Sequence, residues 1–297
     1  MTEMIPAEFL SLDERFEGTG GDRFVARAHA DGRWLEGPAY HPATRVVLFS
    51  DIPNDRVLRY DEITGRTDVF RTPCGFSNGR TVDRQGRFVS CEHGGRRVTR
   101  LEHDGSVRVL ADSYDGHPLN SPNDVVVHSD GSVWFTDPTY GISSDYEGHQ
   151  AEPEQPARHV FRVSPGEAPT VVAADFDQPN GLAFSPDERQ LYVVDSEEHH
   201  IRVFDVAGSQ LSGGGVFAAD PLGYDGIRFD QQGRLWAAAR DGLHCLHPDG
   251  TLLGKLLLPE ITANLCFGGP QGNHLYITAT TSLYTLRVNF RAAATPV

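Results

Sequence analysis

Leu119-Asn120-Ser121-Pro122-Asn123-Asp124-Val125-Val126-Val127-His128-Ser129-Asp130-Gly131-Ser132-Val133-Trp134-Phe135-Thr136-Asp137 decides how this chain of 297 residues folds. Ser-Pro-Asn-Asp is turn chemistry. Val125 to Val127 is a β-branched run with no polar break, the pattern of a strand buried on both faces. Ser129-Asp130-Gly131 reverses the chain, and Val133-Trp134-Phe135 returns. The hairpin brings Asp137 back beside Asn123, at one end of a sheet.

Working outward, the same phrase recurs. It begins at Glu36-Gly37-Pro38, Asn78-Gly79-Arg80, Asn123-Asp124-Val125, Asn180-Gly181-Leu182, Asp225-Gly226-Ile227 and Asn264-Leu265-Cys266, at spacings of 42, 45, 57, 45 and 39 residues. Most copies continue into a polar turn and then an apolar return strand: Val46–Phe49, Phe88–Val89, Val133–Phe135, Leu191–Val194, Leu235–Ala237 and Leu275–Ile277. A period of about 40–45 residues with several strands per unit marks a β-propeller. Six copies predict an all-β, six-bladed propeller, and the repeat overrides the two-domain expectation from length.

Arg23–Ala28 alternates like a strand but has no hairpin partner. The last unit, Asn264 to about Phe290, shows only three strands. The N-terminal strand is therefore expected to complete the last blade, giving six four-stranded blades and removing a sheet edge. The expected organisation is a loose N-terminal arm at 1–21, the propeller at 22–290 and a C-terminal tail at 291–297.

A net charge of −15 argues against nucleic acid or an anionic membrane as partner and favours a cation. The N-terminus carries no signal peptide and no stretch approaches the roughly 20 apolar residues of a membrane span, so a cytoplasmic protein is expected. Cys74, Cys91, Cys245 and Cys266 form no C-x-x-C pair and read as reduced, partly buried thiols.

In a propeller the first strands line a central channel and run alike, so the six first residues form a ring at one mouth. The ring is Glu36, Asn78, Asn123, Asn180, Asp225 and Asn264: two carboxylates and four amides, with no His or Cys. Such oxygen donors suit a hard cation, Ca²⁺ first, then Mg²⁺ or Mn²⁺. Asn and Asp also open tight turns, but six equivalent positions, one of them Glu, exceed what turn chemistry requires. His93 follows the second strand of blade two and returns to the same face, where it could support the ring or move a proton. The insert Pro138–His159, with Tyr140, Tyr146, Glu147 and His149, leaves the same face and reads as a lid, an oligomer contact or a solvated loop.

Two patterns are set aside. Gly75-Phe76-Ser77-Asn78-Gly79 matches a nucleophile elbow but precedes strand and turn residues, not a helix. Glu197-Glu198-His199-His200 lies between two strands and reads as a solvated blade loop.

The phrases Leu35-Glu36-Gly37-Pro38, Ser121-Pro122-Asn123-Asp124, Gln178-Pro179-Asn180-Gly181, Tyr224-Asp225-Gly226 and Cys266-Phe267-Gly268-Gly269 resemble those of the SMP-30/gluconolactonase/LRE (regucalcin-like) family, over roughly residues 30–290. The resemblance implies a six-bladed propeller with one divalent metal at the channel mouth, Zn²⁺ joining the alternatives, and hydrolysis of small lactones. It places metal ligation on Glu36, Asn180 and Asp225, and metal or substrate binding on Asn123. Asn123 and Asp225 are the expected catalytic residues, with Asp225 or a metal-activated water as base. Asn78, His93, Ser121, Asp137, Tyr140 and Asn264 are expected to contact substrate or back the site. Ser121 stands where some members have a substrate-binding Arg, and Asp137-Pro138-Thr139-Tyr140-Gly141 stands where some have a glutamate. A phosphotriester hydrolase would use the same ring, and a non-catalytic calcium-binding propeller would fill it with protein ligands. Oligomeric state stays open.

Overall fold

In the computed structural model, which describes residues 2–293, the recurring phrase builds six antiparallel sheets. Their first strands are Leu35–His41, Ser77–Val82, Val125–Val127, Pro179–Phe184, Ile227–Phe229 and Thr262–Gly268. Each pairs with the return strand expected from the sequence, as in the hairpin that sets Val125 opposite Phe135, Val126 opposite Trp134 and Val127 opposite Val133. First strands of neighbouring blades touch in an unbroken circle, from blade one round to blade six and back to blade one. The result is a six-bladed propeller.

Both faces of every sheet meet a neighbour, so strands need apolar residues at successive positions. Val125 and Val127 pack with Val89, Cys91 and Phe161 between blades two and three. Val126, one residue out of phase, packs with Trp134, Leu182 and Leu191 between blades three and four. Six such clusters fill the six gaps between blades. All four cysteines are buried and unpaired. The turns far from the ring are pinned by carboxylates: Asp83 and Asp230 each accept backbone N–H groups two and four residues on and bind the guanidinium of Arg87 and Arg234.

Phe24–His29 pairs antiparallel with Leu283–Arg287 and closes blade six, as the sequence predicts. The arm before it differs from expectation, because it is not loose. Glu3–Pro6 adds a fifth strand to blade six and Glu8–Ser11 adds a fifth strand to blade five. Phe16 is buried beside Trp236 between those two blades. Two blades are thus five-stranded, and the arm straps them together. Of the expected C-terminal tail, residues 291–293 bridge blade five through the carbonyl of Arg291, the Asp230–Ala292 bridge and the amide of Ala293. The rest of that tail, 294–297, lies outside the described residues. No helix among the described residues is long and apolar enough to cross a membrane.

Candidate metal and substrate site

Each ring residue sits where its strand leaves the channel mouth, and the residue after it decides how closely blades approach. A Cβ on Gly181 would lie 2.2 Å from the carbonyl oxygen of Asp225, and one on Gly79 would lie 2.4 Å from that of Asn123. The recurring glycine therefore lets one blade's backbone touch the next blade's ring residue. Hydrogen bonds to backbone carbonyls then lock the pairs: Gly79 N–H donates to the Asn123 carbonyl, and Thr136 Oγ1 donates to that of Asn180, both at 2.8 Å.

Glu36, Asn78, Asn123, Asn180 and Asp225 line one cavity of about 340 Å³. Glu36 is 3% exposed, and its Oε2 accepts from Asn264 Nδ2 at 3.1 Å and from the Gly37 amide. Burial and then the neighbouring Asp124 push Glu36 up to about 7. Burial, Glu36, Asp124 and Glu147 push Asp225 well above the usual carboxylate range, offset in part by Asn180. Two carboxylates are thus held together at a cost that a bound cation would reverse. Below them Arg228 crosses from blade five to Asp124 of blade three at 3.2 Å. Among the described residues no such ion pair is made by Glu36 or Asp225.

The amides are oriented by their neighbours. Ser196 Oγ donates to the Tyr224 carbonyl at 2.9 Å, so it accepts from Asn180 Nδ2 at 3.0 Å. Asn78 Nδ2 lies 3.1 Å from Nε2 of the fully buried His93, and Asn78 Oδ1 is buried with no protein partner. Among the described residues no three His, Cys, Asp or Glu side chains converge on a metal position. A cation here would draw on amide oxygens as well as Glu36 and Asp225. An orphaned amide oxygen and two carboxylates raised by burial and by neighbouring negative charge fit such an ion.

The insert runs over this mouth. Its one short helix, Tyr140–Ser143, and the following turn bring Tyr140 and Glu147 into the cavity wall. Burial alone pushes the Glu147 carboxyl up to about 7. The insert is held by Ser121, whose Oγ donates to the Pro138 carbonyl at 2.7 Å and accepts from the Gly141 amide at 3.0 Å.

Of the expected residues, Glu36, Asn78, Asn123, Tyr140, Asn180 and Asp225 meet at the cavity. Asn264 and His93 stand directly behind it, bonded to Glu36 and Asn78. Ser121 and Asp137 do not line it. Ser121 anchors the insert, and Asp137 Oδ2 accepts from the Asn120 amide at 2.8 Å, so the bonds both side chains make go to the backbone. Ser77 is no nucleophile in an elbow: it is buried on a strand and bonded to Arg80. The Glu197–His200 loop is largely exposed, as expected, but Glu197 and His199 also reach the cavity rim. Sequence reasoning missed those two, along with Trp34, Arg240 and Thr262. The hairpin logic that singled out His93 also applies to Ser196-Glu197, one step past a second strand.

Residues 34–281 match the SMP-30/gluconolactonase/LRE-like region. The chain is 31% identical to a gluconolactonase of Zymomonas mobilis, across 87% of this chain and 79% of that one. It is 28% identical to the pentonolactonase XacC of Haloferax volcanii, across 82% and 80%. A solved gluconolactonase structure from Xanthomonas campestris superposes with a TM-score of 0.91 at 36% identity, covering 96% of this chain and 97% of that one. The calcium-binding regucalcin of Agrobacterium tumefaciens superposes at 0.76 with 20% identity, covering 99% and 98%, a likeness of fold.

Proposed function

This chain belongs to the SMP-30/gluconolactonase/LRE-like family, and from that premise we propose that it hydrolyses small lactones with a divalent cation held at the channel mouth. One observation carries the reading: the buried Glu36 and the half-buried Asp225 line one cavity within a ring of amides, Glu36 raised by burial and Asp124, Asp225 raised by burial and Glu36, with no ion pair of their own among the described residues. The gluconolactonase and pentonolactonase relatives support the substrate class. So does the cavity, whose volume lies at the small end of the roughly 300–1,000 Å³ typical of ligand pockets and whose wall carries many polar groups.

Glu36, Asn123, Asn180 and Asp225 would hold the ion. When bound, a divalent cation supplies polarisation of the lactone carbonyl and balances the ring's negative charge. The chain's own residues supply the rest. Asn180 is held by Ser196, so its amide orientation is set before substrate arrives. The oxygen of water adds to the carbonyl carbon, the ring C–O bond breaks, and the departing oxygen takes a proton, leaving a hydroxy acid. Asp225 would take up the water's proton, or the water would give it up under the cation's charge. Glu147 faces the same space and, lifted toward neutrality by burial, can give and take a proton there. The insert carrying Tyr140 and Glu147 narrows the mouth and limits which substrates enter.

The test is lactone opening by the chelator-stripped protein, with Ca²⁺, Mg²⁺, Mn²⁺ or Zn²⁺ added back. Glu36→Gln keeps the shape and removes one charge, so cation affinity should fall at least about tenfold. Asp225→Asn should abolish turnover. Full cation occupancy in that variant would assign the base role to Asp225, and lost occupancy would assign ligation. An Asp225→Asn protein that binds and hydrolyses normally would overturn the proposal, and cation binding without turnover of any lactone would favour a non-catalytic propeller.

A further inference from the structure

The insert does more than cover the cavity. It packs directly on His93: a Cβ on Gly141 would lie 2.4 Å from that of His93, and His93 Nδ1 lies 3.1 Å from the carbonyl oxygen of Glu147. A carbonyl only accepts, so Nδ1 must carry a hydrogen. His93 is wholly buried and makes no ion pair among the described residues, so its imidazole is neutral and holds one hydrogen only. Nε2 is then an acceptor, and the group 3.1 Å away on Asn78 must be the amide nitrogen. Asn78 lines the cavity, and its Oδ1 has no protein partner.

We propose that the insert fixes the direction of the Asn78 carboxamide through His93, so that the Glu147 carbonyl, acting across the imidazole, presents Asn78 Oδ1 to the occupant of the cavity. Reversing the amide would set Oδ1 against the Nε2 lone pair. Moving the imidazole hydrogen to relieve that contact would set Nδ1 against the Glu147 carbonyl. Either arrangement faces two acceptors at about hydrogen-bond distance with no proton between them, at a cost of roughly 1–3 kcal/mol for an unmade buried bond. His93 is a positioning residue here, and its own atoms need not meet substrate. The cation or lactone hydroxyl that Asn78 would serve rests on the function proposed above; the hydrogen-bond chain itself does not.

Long-range ¹H–¹⁵N correlation of the histidine side chains in the intact protein reads the tautomer directly. The expected result is a protonated Nδ1 and a bare Nε2 on His93. A protein with residues 144–150 shortened to a glycine linker should lose that preference. Cation affinity, titrated calorimetrically with Ca²⁺, should fall about tenfold in His93→Leu, the scale of lost supporting contacts at metal sites. It should fall similarly in the shortened protein, and little further when the two changes are combined. His93→Gln, which carries donor and acceptor on one planar group, should recover most of the loss. An Nε2-protonated His93, a tautomer indifferent to the insert, or additive losses from the two changes would overturn the proposal. If wild type binds no divalent cation yet shows the insert-dependent tautomer, the positioning stands and the lactonase reading falls.

Discussion

Asp137 shows how one side chain can hold the site's architecture and oppose the fold at the same time. Its Oδ2 fixes the Asn120 amide ahead of Asn123, while Oδ1 is buried without a partner. Burial pushes the carboxyl up to about 7. Between its unfolded value near 4 and about 7, the folded protein holds a proton that the unfolded chain releases. Stability therefore falls as pH rises through that window, by on the order of 4 kcal/mol at full displacement. Asp137→Asn keeps the acceptor for Asn120 and removes the charge, so its melting temperature should decline less than wild type's between pH 5 and 8. Equal declines in melts of the two proteins would show that Asp137 does not carry this penalty. Asp137 also shows where residue-level reading stops. The six ring positions were legible because the repeat aligns them and the channel forces equivalent places together. Ser121 and Asp137 stand beside that pattern, but which way their polar atoms turn depends on Pro138, Gly141 and Asn120 in the folded state. Glu147 had no repeat to align it at all, since the insert that carries it occurs in one unit only.

Among the elements, the paired inner strands were read correctly because their apolar runs and polar turns are local signals. The N-terminal strap was not. Glu3–Pro6 and Glu8–Ser11 are four residues each, contain prolines or acids, and meet their partners only through tertiary structure, Glu8–Ser11 finding Leu252–Leu257 far along the chain. Phe24–His29 could be inferred because blade six visibly lacked a strand. The two layers should differ in consequence. Removing residues 2–11 strips the outer strands from blades five and six while leaving the ring and its closure intact, so cation affinity should stay within about twofold while thermal stability falls by a few degrees. Removing residues 2–29 also takes the closing strand, exposes the edge of Leu283–Arg287, and should yield insoluble or unfolded protein. Calorimetric titration and melting of both truncations check this, and a stable, cation-binding 2–29 deletion would contradict the closure.

At the scale of the whole molecule, the raised acids would make folding and the proposed cation binding one equilibrium. Glu36 and Glu147 are pushed up to about 7, and Asp225 goes higher than the usual carboxylate range. In stripped protein these groups hold protons that the unfolded chain would release, so stability falls as pH rises toward and beyond neutrality. A divalent ion at the proposed site would reverse that sign by taking the protons' place. At a hundredfold excess over its dissociation constant it should add about 2.7 kcal/mol, and the gain should be larger at pH 8 than at pH 5.5. Melts with and without chelator at the two pH values decide it; a larger gain at pH 5.5 would exclude proton competition at the ring. The closing strand has a further consequence, which concerns time. Phe24–His29 leaves a ribosome about 250 residues ahead of Leu283–Arg287. While that interval is synthesised the nascent chain carries an unpaired strand and a circle of blades that cannot close. Contacts this distant in sequence form slowly. An open edge waiting that long can also pair with another chain's. The same strand that ties the finished ring together leaves the growing chain dependent on dilution or a chaperone until Leu283–Arg287 emerges.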